Sequence, residues 1–197
     1  MGYEPKTVLL NALFKKPTHN LSIYLKEKTS ELKEVVVTEK RLTGKVLGNK
    51  TKSKFFGVKF ASSDLGSEMA IKIKIKAAPT YLDKFDFNIS YNNTDTATFR
   101  VNVYTMKNGR PDKNILDQNI ILRIGDQTGN VEVDLSKFSL SVDDDFFISL
   151  EWIDGNRNSG IAFSAGFINK GTYYRKASQG RWKKFGIGVG FNVSVKY

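Results

Sequence analysis

A single histidine, His19, and the absence of cysteine set the limits of the chemistry expected from this chain. Thiol catalysis, disulfides, cysteine-ligated zinc and iron–sulfur clusters all need sulfur ligands or nucleophiles that are not there. A zinc peptidase needs two histidines and a carboxylate on one metal, and one histidine cannot supply that set. Ser–His–Asp catalysis would have to recruit His19, which sits in a Pro17-Thr18-His19-Asn20 run with the composition of a solvated turn. Lysine-activated serine chemistry is compatible with the composition, but no spacing marks it. The expectation is a protein without catalytic residues, metal or cofactor.

Three weaker constellations remain. Asp143-Asp144-Asp145 is the densest group of hard oxygen ligands. Calcium wants six to eight oxygens, and no EF-hand spacing accompanies the triplet, so the competing reading is a solvated turn leading into the FFISLEW run, with Asp144 paired to a lysine. Glu151 in that run would need a second carboxylate across a cleft to hydrolyse a glycoside, and none is visible at any informative spacing. The glycines of Gly186-x-Gly188-x-Gly190 precede the strand-like FNVSVKY rather than a helix, which suits a bend better than a phosphate loop.

The constellation with named candidates is TYYRKASQGRWKKF, residues 172–185. A Ser178-Gln179-Gly180 turn would fold 172–176 against 181–185 and gather Tyr173, Tyr174, Arg175, Trp182 and Lys183, with Lys184 nearby, on one hairpin. An exposed aromatic beside cations can stack on a sugar ring and bind its acidic substituents. The alternative is cross-strand aromatic pairing that serves the hairpin alone. These five residues are the candidate ligand-binding set.

The elements that must hold these residues are strands. Apolar and polar residues alternate with period two in one segment after another: Phe85, Phe87, Ile89, Tyr91; Ala97, Phe99, Val101, Val103; Ile120, Leu122, Ile124; Val131, Val133, Leu135; Phe146, Ile148, Leu150, Trp152; Ile161, Phe163, Ala165, Phe167; Phe191, Val193, Val195, Tyr197. Turn-forming runs such as KNGRPDKN (107–114) and GDQTGN (125–130) separate them. No dozen residues show a helical apolar period. The pattern predicts an all-β fold, an antiparallel, jelly-roll-like β-sandwich with about eight strands in two four-stranded sheets and extra N-terminal strands.

Charge is uneven over the 197 residues. Of the net +11, residues 1–76 hold 16 Lys/Arg and 7 Asp/Glu, a net +9. In IKIKIK (71–76) the pleat sends Ile71, Ile73 and Ile75 to one face and Lys72, Lys74 and Lys76 to the other. A row of lysines reads as an electrostatic footprint for an anionic partner or, more simply, as a solvated sheet edge that discourages strand addition. Acids dilute the basic residues and no nucleic-acid motif is present, so nucleic acid is the disfavoured partner. No window approaches the roughly 18 apolar residues of a membrane-spanning helix.

Candidate strands at 5–10, 21–25 and 34–37 precede a basic, weakly periodic stretch. The expected organisation is therefore a module over 1–38, a basic linker over 39–57 and the sandwich over 58–197. GYEPKTVLL, followed by LSIYLKEKTSELKEVVV, resembles the closing strands of the carboxypeptidase regulatory-like domain of Bacteroidota cell-envelope proteins. The likeness rests on Gly2, Tyr3, Leu32, Glu34, Val35, Val36 and Val37. DLGSE (64–68), DDDFFISLEW (143–152), FSAGF (163–167) and the closing GFNVSVKY resemble the β-rich C-terminal region of proteins named carboxypeptidase-like regulatory domain-containing. The resemblance implies that the module's opening strands lie before Met1. It also implies an accessory β-sandwich without peptidase activity, periplasmic or outer-membrane-associated where the full-length protein carries a signal peptide and otherwise soluble. The function expected is adhesion, scaffolding or glycan binding, with a glycan or cell-envelope protein as partner. An enzyme of unrecognised type and a basic nucleic-acid binder are the alternatives.

Overall fold

The computed structural model describes residues 2–3, 24–28, 42–61, 65–155, 160–167 and 171–197. The chain divides into two compact units, Met1–Thr38 and Glu39–Tyr197. In the first, β1 (Gly2–Tyr3) pairs antiparallel with β2 (Glu27–Lys28). The strands expected at 5–10 and 34–37 lie outside the described residues, as do His19 and Leu32 to Val37. Tyr24 and Leu25, expected in a strand over 21–25, are exposed and outside any strand; pairing begins only at Glu27.

The second unit contains β3 (Gly44–Gly48), β4 (Gly57–Ala61), β5 (Glu68–Ile73), β6 (Thr80–Asn92), β7 (Ala97–Lys107), β8 (Arg110–Asn114), β9 (Ile120–Ile124), β10 (Gly129–Asp134), β11 (Ser141–Val142), β12 (Phe146–Gly155), β13 (Gly160–Gly166), β14 (Thr172–Arg175), β15 (Lys183–Phe185), β16 (Gly188–Val189) and β17 (Phe191–Lys196). Among the described residues, a 3-10 turn at Ser136–Phe138 interrupts them. The first sheet runs β16-β13-β6-β17-β3, with β10 and β11 also on β6 and β4 also on β13; the second runs β15-β14-β5-β12-β7-β8, with β9 also on β7. The pairings are antiparallel, and the all-β antiparallel sandwich predicted by the alternation is what forms.

The sheets hold eight and seven strands rather than four each. The additional strands are short and, apart from Val58 and Phe60 of β4, lack alternating apolar residues. β8, RPDKN, reads as part of a turn, yet only Asn108 and Gly109 turn the chain. Their φ values of 51° and 72° are the positive pair a two-residue hairpin needs, and Lys107 then faces Arg110. The stretch expected as a linker contains β3, whose residues 44–48 pair with 192–196 of β17. A basic, weakly periodic sequence suits an edge strand as well as it suits a linker, because only one side of such a strand is hydrogen-bonded and little of it is buried.

The core is aromatic. Phe60, Phe85, Phe87, Phe163 and Phe191 of the first sheet meet Phe99 and Trp152 of the second, with ring centroids 5.9 Å apart for Phe60–Trp152 and for Phe99–Phe163. Such edge-to-face contacts join the sheets. At a register shift in β12, the Trp152 indole N–H donates to the Asp154 carbonyl at 2.6 Å. Residue 155 must be glycine there, since a Cβ would stand 2.7 Å from the indole nitrogen.

Candidate functional site

The alternation that turns Met69, Ile71, Phe146, Ile148, Leu150, Phe99, Val101 and Val103 into the core turns Glu68, Ala70, Phe147, Ser149, Glu151, Arg100, Asn102 and Tyr104 to the outer face of the second sheet. Register then places four charges in one row across four strands. Arg175 of β14 faces Glu68 of β5, Glu68 faces Glu151 of β12, and Glu151 faces Arg100 of β7. Two carboxylates directly opposite each other are unfavourable in isolation. Here each has a guanidinium on its far side, and the row sums to zero charge.

Three of the row's four members are buried although it lies on an outer face: Glu68 is 0 % exposed, Glu151 3 % and Arg175 7 %, while Arg100 keeps 35 % of its side chain open. Burial of charge demands pairing and hydrogen bonds, and Glu68 has both. Arg175 Nε donates to its Oε2 at 2.7 Å and Arg175 Nη2 lies 2.5 Å from the same oxygen. Asn102 Nδ2 donates to Glu68 Oε1 at 2.9 Å, Tyr104 Oη at 3.0 Å, and Ser149 Oγ joins them. Asn102 also donates to Glu151 Oε2 at 3.2 Å and accepts from Asn114 Nδ2 at 2.9 Å. Burial first, and then the Glu68 charge, push the Tyr104 phenol well above its ordinary pKa, so it remains a hydrogen-bond donor.

The cover comes from the 176–182 connection between β14 and β15. Ser178 Oγ donates to Glu151, and Trp182 lies against the Arg175 guanidinium at 4.8 Å and edge-on to Tyr104 at 5.8 Å. Ala70, Tyr104 and Phe147 form a second small apolar cluster here, completed by Met106, Tyr173 and Trp182. Between this cover and the sheet is a pocket of about 190 Å³ lined by Arg100, Asn102, Tyr104, Asp112, Asn114, Glu151, Arg175, Ser178 and Gln179. Arg100 reaches Glu151 only at 3.3 Å through Nη1, and its buried Nε has no partner among the described residues.

The hairpin expected over 172–185 forms, with Tyr173 opposite Lys184 and Tyr174 opposite Lys183. It does not gather its five candidate residues at one place. Arg175 enters the polar row, and half-buried Trp182 clamps it from the side. Tyr173 stacks edge-on to Phe147 at 4.8 Å on the outer face, whereas Tyr174 packs into the inter-sheet core beside Phe185. Lys183 is exposed and lines neither described pocket. Parity explains the split, because neighbours on a strand point to opposite faces.

Glu68, Asn102, Tyr104 and Arg100 were not singled out from sequence. Each looks like an ordinary outward polar residue, and only strand order makes them neighbours. Glu68 is also the second carboxylate that Glu151 lacked. In the acidic triplet it is Asp145, rather than Asp144, that meets a lysine: its carboxylate lies 2.9 Å from Lys72 Nζ and accepts from Ile75 N at 3.1 Å. No group of three or more His, Asp or Glu side chains able to hold a metal exists among the described residues. No helix among them is long and apolar enough to cross a membrane.

No family model and no curated protein matches the chain. Among solved structures it is similar to the cysteine protease and lectin-like domains of Cwp84, a surface layer associated protein of Clostridium difficile. The identity is 12 % and the TM-score 0.49, over 66 % of this chain and 32 % of that one. The chain thus spans about a third of that structure's length.

Proposed function

We propose that the protein is a non-enzymatic β-sandwich binding module that takes a glycan in the polar pocket on the outer face of its second sheet. The observation that carries this reading is the pocket's lining. Guanidinium, amide, phenol and carboxylate groups converge on about 190 Å³, held in place by a buried ion-pair row. A hydroxyl-rich ring needs donors and acceptors together, already oriented, and a lining of fixed side chains supplies them at low entropic cost.

The adjacency of Glu68 and Glu151 does not favour glycoside hydrolysis. Such a pair works from the two sides of a scissile bond, and Glu68 is wholly buried with both oxygens engaged by the protein. Placement in a bacterial cell envelope, as an adhesion or scaffold module, rests on the likeness of residues 2–38 to regulatory-like modules.

Calorimetric titration with a panel of neutral and acidic oligosaccharides tests the reading. Binding that falls roughly tenfold or more in Arg100→Ala and in Asn114→Ala is expected, in keeping with the loss of one hydrogen bond to a charged or buried partner. Absence of binding across the panel, or turnover in a glycosidase and peptidase screen that disappears with Glu151→Gln, would overturn it.

A further inference from the structure

A larger cavity, about 620 Å³, opens where the two sheets part between β3 on one side and β5 and β14 on the other. Its walls are Leu47, Ile71 and Val189 together with bare backbone at Gly48 and Gly171. Both glycines have positive φ, 103° and 91°. A Cβ on Gly48 would stand 2.7 Å from the Phe191 carbonyl oxygen, and one on Gly171 would run into the Phe185 carbonyl. Both positions therefore require glycine, and the wall there is backbone.

The corner is also pinned. Thr172 Oγ1, from the second sheet, donates to Ile187 O at 2.7 Å and accepts from Val189 N, in the first sheet, at 2.8 Å. Asn49 Nδ2 donates to Gly188 O at 2.8 Å. At this corner Thr172 ties the second sheet to the first, and Asn49 ties the end of β3 to β16.

Four lysines stand on its lining: Lys72, Lys74, Lys76 and Lys184. Lys72 is paired with Asp145. The other three have no carboxylate partner among the described residues, and Lys184 Nζ lies over the Tyr173 ring at 5.2 Å. Protection of a sheet edge does not account for Lys74 and Lys76, because β5 ends at Ile73 and neither belongs to a ladder. Like charges gathered around a concavity raise its potential and invite a counter-anion.

We propose that this groove is a second binding site, distinct from the polar pocket in place and in ligand chemistry, and that it takes a short acidic oligosaccharide. An apolar wall suits the C–H face of a sugar ring, and a cationic rim suits its carboxylate or sulfate groups. The volume is that of a ligand of several rings rather than a lone inorganic anion. Single-stranded nucleic acid is the less suitable polyanion: it binds through free aromatic faces on which bases stack, and Lys184 occupies the face of the only ring in the lining.

The test is calorimetry at low salt with four probes: tetragalacturonate, a heparin-derived tetrasaccharide, maltotetraose and an eight-nucleotide single-stranded DNA. At least one acidic tetrasaccharide should bind, more tightly than the DNA and with no counterpart for maltotetraose at this site; the tighter of the two distinguishes carboxylate from sulfate. Lys74→Gln/Lys184→Gln should weaken that binding at least tenfold, the conservative Lys74→Arg/Lys184→Arg should retain it, and the charge-matched Arg123→Gln/Lys137→Gln should leave it unchanged. Lys74 and Lys184 are exposed, so the melting temperature should hold in all three. Failure of both acidic probes, equal weakening in the charge-matched variant, or tighter DNA binding would overturn the proposal. Acidic-sugar binding that survives the lysine changes but is lost in Arg100→Ala would also overturn it, while leaving the polar-pocket reading intact.

Discussion

On the outer face of the first sheet, Lys84 meets Glu132 at 2.8 Å and Lys196 meets Asp83 at 2.7 Å, with a quarter to a half of each side chain open to water. On the outer face of the second, Arg175 meets Glu68 at 2.5 Å with 8 % and 0 % of the two side chains exposed. Both faces pair a cation with a carboxylate at similar distances, lysine on the first sheet and arginine on the second, but the solvent differs. On the first sheet water screens each pair, so the pairs contribute little and can be lost without consequence. On the second, the 176–182 connection and Trp182 keep water from Glu68, Glu151 and Arg175, so each of these depends on its partner and the row becomes a rigid fixture able to orient a ligand. A covering loop, together with arginine in place of lysine, turns a solvated surface into a site.

The sharpest way to break this contrast is to remove one member of the buried row. Glu68→Ala should destabilise the protein by about 3–5 kcal/mol, because it leaves Arg175 charged and buried without a counter-ion. A denaturant midpoint close to the wild-type value would show that water reaches the row after all. Trp182→Ala removes the cover and the ring facing Arg175. The expected cost is on the order of 2 kcal/mol, from the lost cation–π contact and exposed apolar surface, together with weaker glycan binding. If Trp182 were a free platform, binding would fall while the melting curve stayed put.

Tyr104→Phe probes the same face through pH. The Tyr104 pKa is raised in the folded state by burial and then by Glu68, so the folded chain holds this proton more firmly than the unfolded chain does. Stability from Tyr104 is therefore fully present below about pH 10, the ordinary tyrosine value, and drains away as pH rises beyond it. The variant should lose about 1–2 kcal/mol at neutral pH, between the worth of an ordinary hydrogen bond and that of one to a charged group, and should show a shallower alkaline decline than wild type. The smallest effect belongs to the first sheet: Glu132→Ala should cost less than about 1 kcal/mol, and that little should vanish in high salt. A cost near that of Glu68→Ala would erase the contrast.

The hairpin shows how far the residues could be read in advance. Its turn, its pairing and the approach of Trp182 to Arg175 follow from a local run of fourteen residues, 172–185. The partner that gives Arg175 its role, Glu68, is 107 positions away, and nothing local marks it. The lysines of 71–76 are visible as a row, but their position on a cavity depends on β5 ending at Ile73 and on β3 and β14 closing the other walls.

The amino-acid sequence by itself determined the fold class, most core residues from Phe85 to Val195 (Tyr91 and Phe167, at or beyond strand ends, are exposed instead) and the chemistry excluded by one histidine and no cysteine. These are matters of pleat geometry and composition, repeated along each strand and independent of its neighbours. Tertiary structure decided which polar faces are dry, which charges share a row and where the sheets part to leave a groove. Strand order and register are set by packing between segments far apart in the chain, and burial turns an ordinary outward glutamate such as Glu68 into the centre of a site.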